Sequence, residues 1–131
     1  MGFLHASIRV RDPKKSLAFY ARLLGMKVTD KKSYMPGELV ITLRSNDTGQ
    51  SLRLMHYARN CELYKPYEKG DEMDHLTFQV PDARKAFNRL VAAGAPVAHG
   101  IWEGKDVTMG YVKDPDGIWV GLRSDNRKKK N

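Results

Sequence analysis

The sequence has one cysteine and no long apolar run. Among its 131 residues Cys61 stands alone, which excludes an internal disulfide and the multi-thiolate cage of a structural zinc site. No stretch approaches the roughly 18 apolar residues that a membrane span needs, and the first residues lack the apolar core of a secretory signal. We therefore expect a cytoplasmic protein without a membrane partner, and we interpret Cys61 as a surface thiol.

Acidic residues are in the minority. The 23 Lys and Arg against 15 Asp and Glu give a net charge of +8, and the basic tail 127–131 supplies half of it. The excess of positive charge predicts a small anionic molecule as partner. Nucleic acid is not the expected partner, because terminal basic runs are usually solvated ends. An interaction module that uses this tail is kept as an alternative.

Two segments of the chain resemble each other at an offset of 70 residues. Residues 3–10 and 73–80 both alternate between apolar and polar side chains, and His5 and His75 occupy matching polar positions. Alternation with a period of two is typical of half-buried strands. The chain therefore contains an internal repeat.

Each of these predicted strands leads into a predicted helix. Asp12-Pro13 and Pro81-Asp82 are N-terminal helix signals, and Gly25 and Gly94 are C-terminal ones. Between them the apolar residues take the helical spacing of a face that covers a sheet: Leu17, Tyr20, Ala21 and Leu24 in the first helix, Phe87, Leu90 and Val91 in the second.

Three further strands follow in each half. Turn signals at 46–49 and 114–117 separate predicted strands, which span 39–44, 51–57, 107–112 and 118–123. The chain is thus predicted to be an α+β protein with two βαβββ modules in a single domain, residues 1–126. Module 1 spans 1–57, module 2 spans 75–126, and the charged linker 58–74 is predicted to be a surface connection.

The repeat also predicts which side chains share a face. Arg53 corresponds to Gly121, and alternation places Met55 beside Arg53 and places Trp119 and Arg123 beside Gly121. These rows would form a cup whose polar ring consists of Arg9, Arg53, Arg123, His5 and His75. The alternative is the ordinary solvated face of an antiparallel sheet, but the apolar Met55 and Trp119 on these rows favour a pocket.

The motifs resemble those of the vicinal oxygen chelate superfamily, which includes glyoxalase I, extradiol dioxygenases and the fosfomycin- and bleomycin-resistance proteins. The residues that carry the resemblance, which is greatest to lactoylglutathione lyases, are 5–20, Leu24-Gly25-Met26, His75 and 114–117. It implies paired βαβββ modules that form an eight-stranded curled sheet around a divalent metal. It also implies either a homodimer with cups formed across chains or a monomer whose modules close on each other.

The resemblance places four metal ligands at His5, Arg53, His75 and Gly121. The histidines are competent ligands, and the implied metal would be Ni, Zn or Fe. Neither a guanidinium nor a glycine can hold a cation, so the predicted site has two histidines and no glutamate. Further candidates that could approach the cup are His56, Asp71, Glu72 and Glu103. The segment 99–105 around Trp102 resembles the mobile loop that covers substrate in these families, or is an ordinary surface connection.

Two functional hypotheses follow. In the first, Arg9, Arg53 and Arg123 hold a small anionic metabolite, Met55 and Trp119 supply apolar contact, and His5 and His75 are the catalytic residues that donate or exchange protons, without any cofactor. In the second, the chain is a divalent-metal-dependent lyase or dioxygenase that uses His5 and His75 with an unidentified third ligand.

Overall fold

The computed structural model describes residues 1–126, so the basic tail 127–131 and the interaction role considered for it lie outside the described residues. The chain divides into two compact units. The N-terminal unit is His5–Asp74. The C-terminal unit consists of Met1–Leu4 and the chain from His75 onward.

The N-terminal unit has four strands in the order β2-β3-β4-β1. Strand β1 pairs in parallel with β4, while β3 lies antiparallel between β2 and β4, and β2 is bulged between Val28 and Asp30. A parallel pair needs a crossover connection, which the first helix provides. The strands are β1 (Gly2–Arg9), β2 (Lys27–Lys32), β3 (Glu38–Arg44) and β4 (Ser51–Tyr57).

The C-terminal unit repeats this topology in the order β5-β8-β7-β6. Strands β5 and β8 are parallel, and β7 is antiparallel to both β8 and β6. The strands are β5 (Met73–Gln79), β6 (Val97–Glu103), β7 (Val107–Lys113) and β8 (Trp119–Asp125). The expected strand–helix–three-strand order is therefore present in both halves.

Both helices begin at the predicted caps. The Asp12 carboxylate accepts hydrogen bonds from the backbone N–H of Lys14 and Lys15 at the start of α1 (Pro13–Leu17). Asp82 caps α2 (Ala83–Ala92) in the same way. These side chains satisfy N–H groups that have no partner within the helix. No helix within residues 1–126 is long and apolar enough to cross a membrane.

The first helix departs from the predicted spacing after Leu17. It continues as a π-helical segment, Ala18–Leu23, in which wider turns shift the apolar stripe away from 3.6 residues per turn. Leu17 and Tyr20 pack on the core as expected, but Leu24 is 59 % exposed. Met26 packs on the core instead.

Each unit has an apolar core between its helix and its sheet. Ile41, Leu43 and Leu54 are buried in the N-terminal unit, where Leu17 and Tyr20 cover them. Phe87 and Leu122 are buried in the C-terminal unit. One side of each sheet thus faces its helix, and the row with Arg53 or Arg123 lies on the other side, here called the polar face.

The linker 58–74 is not a plain surface connection, and the interpretation of Cys61 as a surface thiol was wrong. Cys61 is only 5 % exposed and packs with Val40, Met55 and Tyr57. Leu63 and Tyr64, also in the linker, contact the same cluster. The linker therefore covers part of the polar face of the N-terminal unit, because that part carries apolar side chains that solvent would not stabilise.

Residues 99–103, interpreted as the start of a mobile covering loop, belong to strand β6. This strand pairs with β7 through two irregularities in register. Trp102 is half exposed, and its ring lies against Gly104. The Glu103 carboxylate forms an exposed ion pair with Arg84 at 3.0 Å.

We predict that Gly37→Ala destabilises the protein far more than Gly25→Ala. Both glycines have positive φ, 80° and 76°, which costs an alanine about 1 kcal/mol. A Cβ at Gly37 would additionally lie 2.6 Å from Asn60 Oδ1 and 2.8 Å from the Cys61 backbone nitrogen, whereas none of the described atoms lies within 4 Å at Gly25. Urea unfolding should give a loss of about 3 kcal/mol for Gly37→Ala. Equal losses for the two variants would contradict the close packing of the linker.

Candidate functional site

Arg9 lies at the end of β1 inside an aromatic cage. Its Cζ is 5.8 Å from the ring centroid of Tyr57, 5.9 Å from that of Tyr64 and 5.7 Å from that of Tyr67. Rings at this distance attract a guanidinium through their quadrupoles. Two of the three rings come from the linker, so the cage fixes the linker against β1.

Polar groups of the linker also contact the Arg9 guanidinium. Nη2 donates to the Lys65 backbone oxygen at 2.6 Å, and Nη1 lies 3.4 Å from Asp71 Oδ2. The Arg9 side chain is 8 % exposed. An anion that bound Arg9 would have to compete with the Asp71 carboxylate, and the predicted role of Arg9 as a ligand contact stays a prediction.

Asp71 is held in its charged form. The Glu68 backbone N–H that donates to its carboxylate lowers the pKa of Asp71 below the ordinary value of 3.8, and Lys65 and Arg9 lower it further. Because the pKa is lowered on folding, these contacts stabilise the folded protein above that ordinary value. The stabilisation is lost as the pH falls through the lower pKa of the folded state.

Further bonds hold the end of the linker. The Arg9 backbone N–H donates to the Glu72 carbonyl at 2.8 Å, and the Tyr57 hydroxyl donates to Asp74 Oδ2 at 2.8 Å. Partial burial raises the pKa of Tyr67 above its ordinary value of 10.0, and its hydrogen bond with Glu72 acts in the same direction. Asp71 and Glu72 therefore reach the polar face, as considered from the sequence, but as partners of Arg9 and Tyr67.

Arg53 has a different environment from Arg9. It lies on β4 opposite Thr42 of β3, is half buried, and donates through Nε to Thr42 Oγ1 at 3.2 Å. Within residues 1–126 it forms no ion pair, and its two Nη groups make no hydrogen bond. Arg53 thus presents the two adjacent donors with which a guanidinium grips a carboxylate or a phosphate.

Arg123 has partial compensation. Its Nη1 donates to Gln79 Oε1 at 3.0 Å and to Asp125 Oδ1 at 3.3 Å. The Arg123 side chain is 26 % exposed and that of Asp125 58 %, so solvent screens this ion pair. Both bonds use Nη1, and within the described chain Nη2 and Nε make none.

An aromatic row occupies the polar face of the C-terminal unit. The Tyr111 ring lies 5.3 Å from His75 and 5.8 Å from Trp119, measured between centroids. A Cβ at Gly121 would lie 2.8 Å from the Tyr111 ring. The tyrosine therefore fills the space that a larger side chain at position 121 would need. Sequence reasoning did not single out Tyr111, although its alternation with Met109 on β7 could have placed it on this face.

The remaining predicted residues occupy their expected strands. His5 on β1 and His75 on β5 are each 4 % exposed. Trp119 lies on the polar face beside Tyr111. Met55 is buried in the cluster with Val40 and Cys61, so its contacts come from this chain. The catalytic roles of His5 and His75 and the binding roles of Met55 and Trp119 stay predictions.

The divalent metal implied by the family resemblance does not fit the residues present. Among residues 1–126 no group of three or more His, Cys, Asp and Glu side chains is placed to hold a metal ion. The position of one implied carboxylate ligand is the cation Arg53. The position of the other is Gly121, where Tyr111 occupies the adjacent space. The donor set is therefore wrong in charge as well as in number.

We predict that Arg9→Met opens the linker and exposes the thiol of Cys61, the only cysteine in the chain. Methionine keeps an apolar stem but removes the ion pair and the hydrogen bond to Lys65. Charge-assisted hydrogen bonds are worth about 1.5–3 kcal/mol, so the rate of thiol labelling by a disulfide reagent should rise about tenfold or more.

Arg22→Met is the matched control, because Arg22 is exposed and lies in the π-helical segment. Its labelling rate should equal that of the wild-type protein. An Arg9→Met protein that protects Cys61 as well as the control does would show that the cage does not hold the linker.

Comparison with solved structures addresses the fold. The methylmalonyl-CoA epimerase of Mycobacterium tuberculosis is similar with a TM-score of 0.78 and 19 % identity, over 96 % of this chain and 89 % of that one. A Streptomyces coelicolor methylmalonyl-CoA epimerase has a TM-score of 0.76 and 17 % identity, over 100 % of this chain and 99 % of that one. A superfamily member from Vibrio splendidus has a TM-score of 0.68 and 17 % identity, over 91 % of this chain and 95 % of that one. The expected α+β fold, an eight-stranded curled sheet from paired βαβββ modules, is confirmed.

Comparison of sequences addresses the family. A lactoylglutathione lyase of Pseudomonas putida is 27 % identical over 90 % of this chain and 82 % of its own length. A probable lactoylglutathione lyase of Synechocystis is 29 % identical over 98 % of this chain and 99 % of its own length. The model of the Glyoxalase/Bleomycin resistance protein/Dioxygenase superfamily matches residues 2–122. The chain belongs to this superfamily, as its motifs predicted.

Proposed function

We propose that this protein binds a small anionic metabolite through Arg53 on the polar face of its N-terminal unit, with Arg123 as a separate contact on the polar face of its C-terminal unit, and without the four-ligand metal that the family resemblance implies. The observation that carries the proposal is the state of Arg53. Its guanidinium is half buried and oriented by Thr42, and within residues 1–126 it has no acidic partner. A positive charge held in this way is favourable only where an anion or solvent compensates it.

The chemistry of the relatives supports an anionic ligand. Lactoylglutathione and methylmalonyl-CoA, named in the relatives and the similar structures, are both acyl thioesters that carry negatively charged groups. A carboxylate is the common group that a guanidinium fork recognises. The ligand class proposed here is therefore a small carboxylate, free or as part of an acyl thioester.

The two arginines have different roles in this proposal. Arg53 supplies a pair of donors for one carboxylate, because both its Nη groups are available. Arg123 supplies a weaker contact, because Asp125 and Gln79 already share its Nη1. His5 and His75 are each proposed to donate or accept a proton at a ligand bound on the polar face of its own unit, since a neutral imidazole has one donor and one acceptor nitrogen. Turnover is a separate proposal from binding, and it depends on these two residues.

We predict that Arg53→Met weakens the binding of malonate, a minimal dicarboxylate. Loss of a bidentate charge-assisted contact should reduce the affinity measured by isothermal titration calorimetry about tenfold or more. Arg53→Lys should recover only part of the affinity, because an ammonium keeps the charge and loses the fork. The wild-type affinity should fall as salt is added.

Arg22→Met removes the same charge from an exposed site and should leave the affinity for malonate unchanged. The proposal fails if the wild-type protein does not bind malonate, or if Arg53→Met and Arg22→Met behave alike.

The names of the relatives favour a second candidate, a lyase, and the family resemblance adds a metal with His5 and His75 as ligands. We predict that protein incubated with Ni²⁺, Zn²⁺ or Fe²⁺ and then dialysed retains no stoichiometric metal by elemental analysis. Two imidazoles without a carboxylate ligand bind a divalent cation weakly. One equivalent of metal that disappears in the His5→Ala, His75→Ala double variant would replace the present proposal with this second candidate.

A further inference from the structure

Three apolar side chains at the end of the first helix are exposed on one side of it. Phe19, Leu23 and Leu24 are 50 %, 76 % and 59 % exposed. The Leu24 backbone N–H donates to the Phe19 carbonyl at 3.0 Å, a π-helical bond that places residues four and five positions apart on the same side. Leu17 and Tyr20 pack on the core, so this side faces away from it. Phe19, Leu23 and Leu24 are here called the apolar ridge.

The second helix shows that the fold does not require an apolar ridge. Counted from the capping aspartates of the internal repeat, Arg89 and Ala93 correspond to Phe19 and Leu23, and both are exposed. The chain from the capping aspartate to the glycine that follows the helix is one residue longer in the first unit. The wider π-helical turns accommodate this residue. The core therefore does not account for the ridge.

Positive charge is concentrated in the segment that contains the ridge. Residues 11–32 include seven Lys and Arg and two Asp, whereas the rest of residues 1–126 has twelve basic and thirteen acidic residues. Both acidic residues of the segment are engaged locally. Asp12 caps the helix, and Asp30 lies 3.7 Å from Lys32. The segment thus has a strong positive excess, while the remainder of the described chain is nearly neutral.

Exposed lysines lie on both sides of the ridge. Lys15 precedes Phe19 by four residues, and side chains at this spacing are neighbours on a helix. After the ridge, the Met26 backbone N–H donates to the Tyr20 carbonyl at 3.0 Å. This bond holds the start of β2 beside the π-helical segment, and Lys27 is the first residue of that strand. The side chains of Lys15 and Lys27 are both exposed.

We propose that the apolar ridge inserts into the surface of a membrane that contains anionic lipids, while the surrounding lysines contact the lipid headgroups. Exposed apolar side chains bordered by basic residues are the pattern with which helices bind at a membrane interface. The ridge projects from the protein, and a fluid bilayer surface receives such a projection without the preformed groove that a partner protein would need. A second copy of this chain would bring the same positive charge to the contact, which disfavours self-association.

This contact is peripheral and independent of the anion binding proposed through Arg53. The expectation that the protein has no membrane partner rested on the lack of a spanning segment, and insertion of a short ridge into the interface needs none.

Sedimentation with lipid vesicles tests the proposal. At low salt, wild-type protein should bind vesicles of phosphatidylcholine and phosphatidylglycerol about tenfold or more tightly than vesicles of phosphatidylcholine alone, because only the anionic lipid attracts lysine. The double variant Phe19→Gln, Leu23→Gln should bind the mixed vesicles about tenfold or more weakly than the wild type. Val97→Gln is the control, because Val97 is 50 % exposed and lies on the edge strand β6. Its binding should equal that of the wild type.

Lys15→Gln and Lys85→Gln are a matched pair for the contribution of charge. Both lysines are exposed, occupy the third position of their helices, and donate from the backbone N–H to the capping aspartate. Lys15→Gln should weaken binding to the mixed vesicles about threefold to fivefold, whereas Lys85→Gln should leave it unchanged. Equal losses for the two variants would show a response to net charge alone and would overturn the proposal.

Leu23→Trp separates the apolar contact from any damage to the fold. Tryptophan is favoured at membrane interfaces, so this variant should bind the mixed vesicles at least as tightly as the wild type. Every variant keeps the basic tail 127–131, so double-variant protein that binds as the wild type does would assign the binding to other residues and overturn the proposal. Wild-type protein that does not bind the mixed vesicles would also overturn it. If that protein is a dimer in sedimentation velocity and the double variant is a monomer, a second copy of the chain covers the ridge instead.

Discussion

Parallel pairing of the first and last strands in each unit is the constraint on which the arrangement of side chains depends. A helix must cross over the sheet before β1 can lie beside β4, and before β5 can lie beside β8. The helix covers one side of each sheet, so the apolar row of every strand faces the helix. The polar rows of the parallel strands are then neighbours on the other side, which is why Arg53 shares a face with Arg9 in one unit and Thr77 shares a face with Arg123 in the other.

The charges on these faces are compensated to different degrees. Arg9 is enclosed by linker residues and paired with Asp71, so it stabilises the covering segment. Arg123 shares one nitrogen with Gln79 and an exposed Asp125. Among the described residues, only Thr42 forms a hydrogen bond with the Arg53 side chain. Net charge could not reveal which arginine is compensated most, because compensation depends on which carboxylates the folded chain places near each guanidinium. Burial then determines how strongly each pair interacts.

The chain keeps the fold of its superfamily, while two positions that the resemblance assigns to metal ligands carry residues that cannot bind a metal. Arg53 and Gly121 occupy positions that the resemblance assigns to carboxylate ligands, and Tyr111 fills the space beside Gly121. A glutamate at position 121 would therefore meet the Tyr111 ring and the Met109 side chain. The packing around Gly121 thus leaves no space for a carboxylate side chain, and membership of the superfamily does not by itself imply a metal site in this chain.

Local patterns in the sequence determined the elements and the two faces of each sheet. The strand Ser51–Tyr57 and the caps Asp12 and Asp82 were predictable, because alternation and capping act between residues close in the chain. The family motifs likewise determined the fold. The π-helical segment after Leu17, which leaves Leu24 exposed, was not predictable from the apolar spacing, because that spacing assumes 3.6 residues per turn. The burial of Cys61 and the cage around Arg9 also required tertiary structure, since Cys61 packs with Val40 of another strand and Arg9 contacts Tyr64 of the distant linker. That the Thr77 hydroxyl finds no hydrogen-bond partner among residues 1–126 is likewise a property of the folded chain, because only the neighbours assembled around a side chain decide whether its hydrogen bonds are made.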